Sequence, residues 1–173
     1  MLRWWRGSGA SLAVTMRVYL IHHAHAVDAP PGASFLDDLR ALTPASRRRF
    51  ARTARAFAQR GEGIESLRSS PALRAVETAE LLAVALKNAH VAVLEELRPG
   101  AAAVPVRDWL LRQRTEAIAL VGHGRQLRDL ARLLVGPEPP FALKKGSIVR
   151  IDLKGKKARP RWSLRDPEDA IGA

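Results

Sequence analysis

The regular pattern of the chain begins at residues 17–21, Arg-Val-Tyr-Leu-Ile, a β-branched and apolar run that ends in a cluster of histidines. Such a run predicts a buried strand feeding a polar loop. Thr43-Pro44 then offers an N-cap and a proline for the first helical position. Phe50, Ala54 and Phe57 fall on one face of the helix this predicts to about Gln59, opposite an arginine-rich side. Residues 64–69 read as a short second strand. Ser70-Pro71 opens a second helix to about Lys87, with Leu73, Val76, Leu81, Val84 and Ala85 as candidates for burial. A third strand over 91–94, a third helix over 106–114 and a wholly apolar fourth strand over 117–121 follow. Gly122-His123-Gly124 turns into a fourth helix carrying Leu127, Leu130, Leu133 and Leu134. Residues 147–153 and 161–164 alternate like a hairpin around Lys154-Gly155-Lys156-Lys157.

Strands alternating with helices predict an α/β fold, a three-layer α/β/α sandwich whose central sheet is mostly parallel and finishes in an antiparallel edge. The pattern predicts a single domain over 16–167, with 1–15 a disordered extension and 168–173 a tail. Met16 stands directly before the first strand and is a second candidate initiator. Ligands of such sheets collect at the C-terminal ends of the strands. That rule singles out the loops after Ile21 and after Val121, which open with His22 and with Gly122-His123.

Composition narrows the chemistry. The chain has no cysteine, which excludes a disulfide scaffold, a thiolate metal site and a cysteine nucleophile, and fits a cytoplasmic location. No window holds the roughly 18 apolar residues that span a bilayer, so no membrane role is expected. The net charge of +12 makes an anionic partner worth considering. Only six of the 29 cations are lysine, however, and an alanine-rich, arginine-rich chain also arises from codon drift. Trp109 and Trp162 are isolated, which gives little support to a base-stacking platform and argues against nucleic acid as the main partner.

The chemistry-bearing residues fall in four places. The first strand ends Leu20-Ile21-His22-His23-Ala24-His25-Ala26. Arg40-Ala41-Leu42-Thr43-Pro44 follows, then Ser69-Ser70-Pro71-Ala72-Leu73-Arg74-Ala75-Val76-Glu77-Thr78, then Leu120-Val121-Gly122-His123. Arg74 falls in the first turn of a helix, where backbone N–H groups already favour an anion. In this order and spacing the segments resemble the histidine phosphatases, the phosphoglycerate mutase-like superfamily, and in particular its small SixA-type phosphohistidine phosphatase branch. The resemblance runs from Met16 to about Pro167 and includes Leu143-Lys144-Lys145-Gly146 before a closing strand.

The resemblance implies His23 as nucleophile, His123 as second catalytic histidine, and His22, Arg40 and Arg74 as phosphate ligands. Glu96 is the candidate proton donor. No cofactor or metal is implied, and the substrate is expected to be a phosphorylated protein or a small phosphorylated molecule. The chain departs from the family's Arg-His-Gly at two positions, with His22 for arginine and Ala24 for glycine. An arginine offers a permanent charge and a planar fork, whereas a histidine with the ordinary value of about 6.5 offers one donor when neutral. Ala24 is expected either to press a Cβ into a tight loop, at positive φ, or to shift the loop that aims His23. The two imidazoles are expected to titrate together and confine turnover to a mildly acidic to neutral range.

Three other readings stand beside this one. His23 and His25, with His123 or Asp28, could ligate a metal. The basic surface could bind nucleic acid. A member of the same fold could bind phosphate or phosphoprotein without catalysis.

Overall fold

The computed structural model describes residues 15–29, 32, 34–87 and 89–166. The expected extension, Thr15 apart, and the expected tail over 168–173 lie outside the described residues. Among the described residues ten regular elements follow one another: β1 (Met16–His22), α1 (Pro44–Gln59), β2 (Ser66–Ser69), α2 (Leu73–Leu86), β3 (Val91–Val93), α3 (Ala103–Leu111), β4 (Ala117–Gly122), α4 (Gly124–Val135), β5 (Ile148–Lys154) and β6 (Lys157–Leu164). Two short 3-10 turns, Ser34–Leu39 and Glu95–Leu97, were not foreseen in the sequence.

The strands form one sheet in the order β3-β2-β4-β1-β5-β6. The first four are mutually parallel, β5 runs antiparallel to β1, and β6 antiparallel to β5. This is the expected mostly parallel sheet with an antiparallel edge. Strand β1 shows why its sequence is apolar throughout. Val18 and Leu20 pack into a core with Val106, Leu110, Leu127 and Leu130 of α3 and α4. Tyr19 and Ile21 point the other way, into a second core with Phe50 and Phe57 of α1 and Leu82 of α2. Successive side chains thus bury on opposite faces, as the two-residue strand period requires.

Helix α1 begins where its cap predicts. The Thr43 hydroxyl accepts the Ser46 N–H at 3.1 Å, and Pro44 takes the first helical position. Helix α2 corrects the sequence reading. Its buried face carries Arg74, Ala75, Thr78, Ala79 and Leu82, whereas Val84 is 78% exposed. The large apolar side chains gave the stronger periodic signal, but small Ala75 and Ala79 are the ones that pack beneath α1, and Arg74 and Thr78 are turned inward toward the strand ends. Helix α3 starts at Ala103 rather than at 106, because Pro105 falls in the first turn, where its missing N–H has no intrahelical partner to lose. In α4, Leu127 and Leu130 are buried as expected, while Leu133 is exposed.

Candidate active site

Register brings the site together. β1 and β4 are parallel neighbours with His22 opposite Gly122, so the residues that follow, His23 and His123, leave the sheet side by side. β2 lies on the other side of β4 with Ser69 opposite Val121, so Ser70-Pro71 and the start of α2 enter over the same edge. The His23 and His123 rings lie 5.1 Å apart between centroids, and His22 and His23 4.9 Å apart. Of the residues singled out in the sequence, His22, His23, Arg40, Arg74 and His123 are gathered at this edge.

The proton positions follow from the hydrogen bonds. His23 Nδ1 lies 2.7 Å from the Ala24 carbonyl, which can only accept, so Nδ1 carries the proton and Nε2 keeps its lone pair. His22 Nδ1 likewise donates to the Leu143 carbonyl at 3.0 Å. In the neutral form His22 therefore has an acceptor, not a donor, at Nε2. Ser70 Oγ lies 2.8 Å from His123 Nε2 and orients that ring.

Burial sets the ionisation. His23 is lowered to about 3 by loss of solvation, with the neighbouring His22, His123 and Arg74 adding to the effect. Burial likewise brings His22 to about 4, with Lys145 and Arg128 pushing the same way, and His123 to about 4, assisted by Arg74. All three rings are thus neutral at neutral pH. The expected coupled titration near neutrality does not follow, because solvation lost at the strand ends outweighs the ordinary imidazole value.

The second departure from the family motif is accommodated. Ala24 packs its side chain into the α1/α2 core, and among the described residues Lys87 is the only non-glycine residue at positive φ. The Ala24 N–H donates to Thr78 Oγ1 at 3.0 Å, and Thr78 in turn donates to the Arg74 carbonyl at 2.6 Å, tying the loop after β1 to α2. Glu77 accepts the Leu42 N–H at 2.6 Å and pairs with Arg47, fixing the segment that carries Arg40. Glu77 and Thr78 thus tie the start of α2 to the loops that carry Arg40 and His23.

Arg74 is 3% exposed. Its two terminal nitrogens grip Asp37, one on the backbone carbonyl at 2.6 Å and one on Oδ2 at 2.9 Å, while its Nε–H has no partner among the described residues. Arg40 donates from Nε to Asp37 Oδ1 at 2.9 Å and from a terminal nitrogen to the Val27 carbonyl at 3.0 Å. Asp37 thus joins the two arginines, a link not foreseen in the sequence; its position three residues before Arg40 is the signal that could have shown it. The Glu96 backbone carbonyl accepts Gln126 Nε2 at 2.6 Å, and its carboxylate has no hydrogen bond to the histidines among the described residues. A cavity of about 650 Å³, lined by Ala101, Ala102, Val104, His123, Arg125 and Gln126, opens beside His123 and offers room for a leaving group.

Among the described residues no group of three metal-ligating side chains forms; His25 is exposed, and its Nδ1 accepts from Lys145 Nζ at 3.1 Å. Gly124 explains the seat of His22. A Cβ there would come within 2.5 Å of His22 Cε1. Gly124→Ala is expected to displace the ring, break its bond to Leu143 and lower stability by about 1–3 kcal/mol, as overpacking does. Thermal unfolding of the purified variant, with the histidine ring signals followed by NMR, checks this.

Among solved structures, the chain superposes on the protein histidine phosphatase SixA in complex with tungstate with a TM-score of 0.79, at 22% identity, over 88% of this chain and 99% of that one. A SixA protein of Agrobacterium tumefaciens gives 0.77 at 22% identity, covering 86% and 97%. The phosphoglycerate mutase of Plasmodium falciparum gives 0.62 at 17%, covering 86% and 90%. The fold is the one these histidine phosphatase and phosphoglycerate mutase structures share. No protein-family model matches it. Its sequence is similar to that of an uncharacterized protein of Picosynechococcus sp., 33% identical over 141 residues that cover 78% of this chain and 83% of that protein.

Proposed function

We propose that the chain is a metal-independent phosphatase that works through a phosphohistidine on His23, acting on phosphohistidine in proteins or on a small phosphomonoester. The observation that carries this reading is the state of His23: a neutral ring whose Nδ1–H is held by the Ala24 carbonyl, leaving Nε2 as the nucleophilic atom beside His123 and Arg74. In the first step Nε2 forms a bond to phosphorus as the bond to the leaving group breaks. Arg40 and Arg74 neutralise the charge on the equatorial oxygens, to which neutral His123 can add one N–H. Water then attacks the phosphorus, phosphate leaves, and the electron pair returns to Nε2.

Acid catalysis points to the substrate class. Asp37 is held ionised by the two arginines, which outweigh its own burial, and the Glu96 carboxylate makes no hydrogen bond to the histidines among the described residues. An imidazole leaving from a phosphohistidine departs neutral when its other nitrogen carries a proton, so it needs no carboxylic acid, whereas an alkoxide does. This favours a phosphoramidate, the substrate class named for the SixA neighbours. Among the described residues no helix is long and apolar enough to cross a membrane, and a cytoplasmic phosphoprotein is the partner this reading implies.

A second reading, phosphate binding without turnover, is favoured by His22, which in its neutral form brings no N–H to an oxyanion. Phosphoenzyme formation separates the two. Purified protein incubated with a phosphohistidine peptide and with p-nitrophenyl phosphate should release phosphate and yield an acid-labile, base-stable phosphoprotein. A protein that binds phosphate but never becomes labelled is a binder.

A further inference from the structure

We infer that Asp37 is an internal anion seated on the phosphate clamp, so that a ligand must displace its carboxylate and only a dianionic group does so with net gain. The inference rests on the phosphate-site reading above and assigns the residue that sets its selectivity. Both carboxylate oxygens are engaged by the arginines that would hold a phosphoryl group: Oδ1 by Arg40 Nε and Oδ2 by Arg74, each at 2.9 Å. An oxyanion cannot share these donors with a carboxylate without like-charge repulsion.

The arginines do not need the carboxylate in order to stay in place. Arg74 holds the Asp37 backbone carbonyl at 2.6 Å through its other terminal nitrogen, and Arg40 holds the Val27 carbonyl at 3.0 Å. The Asp37 side chain is 41% exposed, with solvent available to receive it, whereas that of Arg74 is 4% exposed and cannot leave. Arg74 also keeps an unpartnered, buried Nε–H among the described residues, donor capacity that the carboxylate does not use and a third ligand oxygen can. A monoanion therefore replaces one negative charge by another and gains little. A phosphoryl dianion brings a second charge and a further acceptor to the same donors.

The test uses two tetrahedral oxyanions that differ in charge, tungstate and perrhenate, titrated into the intact chain by calorimetry. Wild type should bind tungstate and show no perrhenate binding. If the carboxylate occupies the clamp most of the time, Asp37→Asn should tighten tungstate by about tenfold or more, since removing a competing state raises the competent fraction. The same variant should bring perrhenate binding into range. Asp37→Ser should act in the same direction, and circular dichroism of both variants verifies the fold. Unchanged or weaker tungstate binding in the folded variants overturns the inference, making Asp37 a support for the arginines, and leaves the phosphate site standing. Absence of tungstate binding in wild type and variants alike overturns the phosphate-site reading together with the inference.

Discussion

Replacing His23 by alanine is expected to lower kcat on a phosphohistidine peptide by at least about a thousandfold and to abolish the phosphoprotein, because the atom that forms the bond to phosphorus is removed. Oxyanion binding should survive, since Arg74 and Arg40 are held by carbonyl groups of Asp37 and Val27 and not by the imidazole. The alanine variant should therefore bind tungstate within about tenfold of wild type, the split between chemistry and binding that removal of a nucleophile produces. Arg74→Ala should behave in the opposite way. It takes away a buried, positioned guanidinium, and with it the oxyanion affinity, while leaving Nε2 of His23 intact. Rapid acid-free quench with phosphorus NMR reads the intermediate, and calorimetry reads the affinity. Equal phosphatase rates in wild type and His23→Ala would end the nucleophile assignment and leave the binding reading.

Stability should fall steeply in mild acid. His22, His23 and His123 are each brought well below the ordinary value of 6.5, to about 4, 3 and 4, chiefly by burial. The folded state thus resists protons that the unfolded chain accepts. Below pH 6.5 the unfolded chain binds more protons than the folded one, so stability decreases as pH falls toward 4, and above 6.5 these groups contribute no further slope. Between pH 7.5 and 4.5 the three together should remove at least about 3 kcal/mol, allowing for solvent contact at His123 and for coupling among the rings. Urea unfolding at the two pH values measures the loss. Because carboxylates also protonate in this range, His23→Asn supplies the control: its loss over the same interval should be smaller than that of wild type by at least about 1 kcal/mol. An identical pH dependence in the variant would mean that the ring is solvated and titrates normally. Turnover, by the same ionisation, should not fall through loss of neutral His23 until well below pH 6.

Much of the architecture is readable without coordinates, for reasons particular to the residues concerned. The runs at 17–21 and 117–121 are apolar at every position but one because the central strands bury both faces, and Thr43-Pro44 announces α1 because an N-cap hydroxyl and a proline meet local needs of a helix end. Five of the six residues singled out for the site, His22, His23, Arg40, Arg74 and His123, come together at one edge. Glu96 as proton donor rests on the resemblance and on its place in the sequence, which carries no information on which way a side chain faces across the sheet.

What the sequence by itself determined is what local chemistry can settle: the order of strands and helices, the caps, and the histidines at the two strand ends where parallel sheets bind ligands. What tertiary structure alone decided depends on contacts between distant segments. The inward face of α2 follows from its packing on α1, where small Ala75 and Ala79 outrank the larger Val84. The neutral state of three adjoining imidazoles follows from solvation lost when β1, β4 and α4 close around them. The meeting of Asp37 with Arg74 joins residues 37 positions apart in the chain. Periodicity reports which residues share a face of one element, whereas solvation and charge pairing are set by neighbours from other elements, and these exist only once the chain has folded.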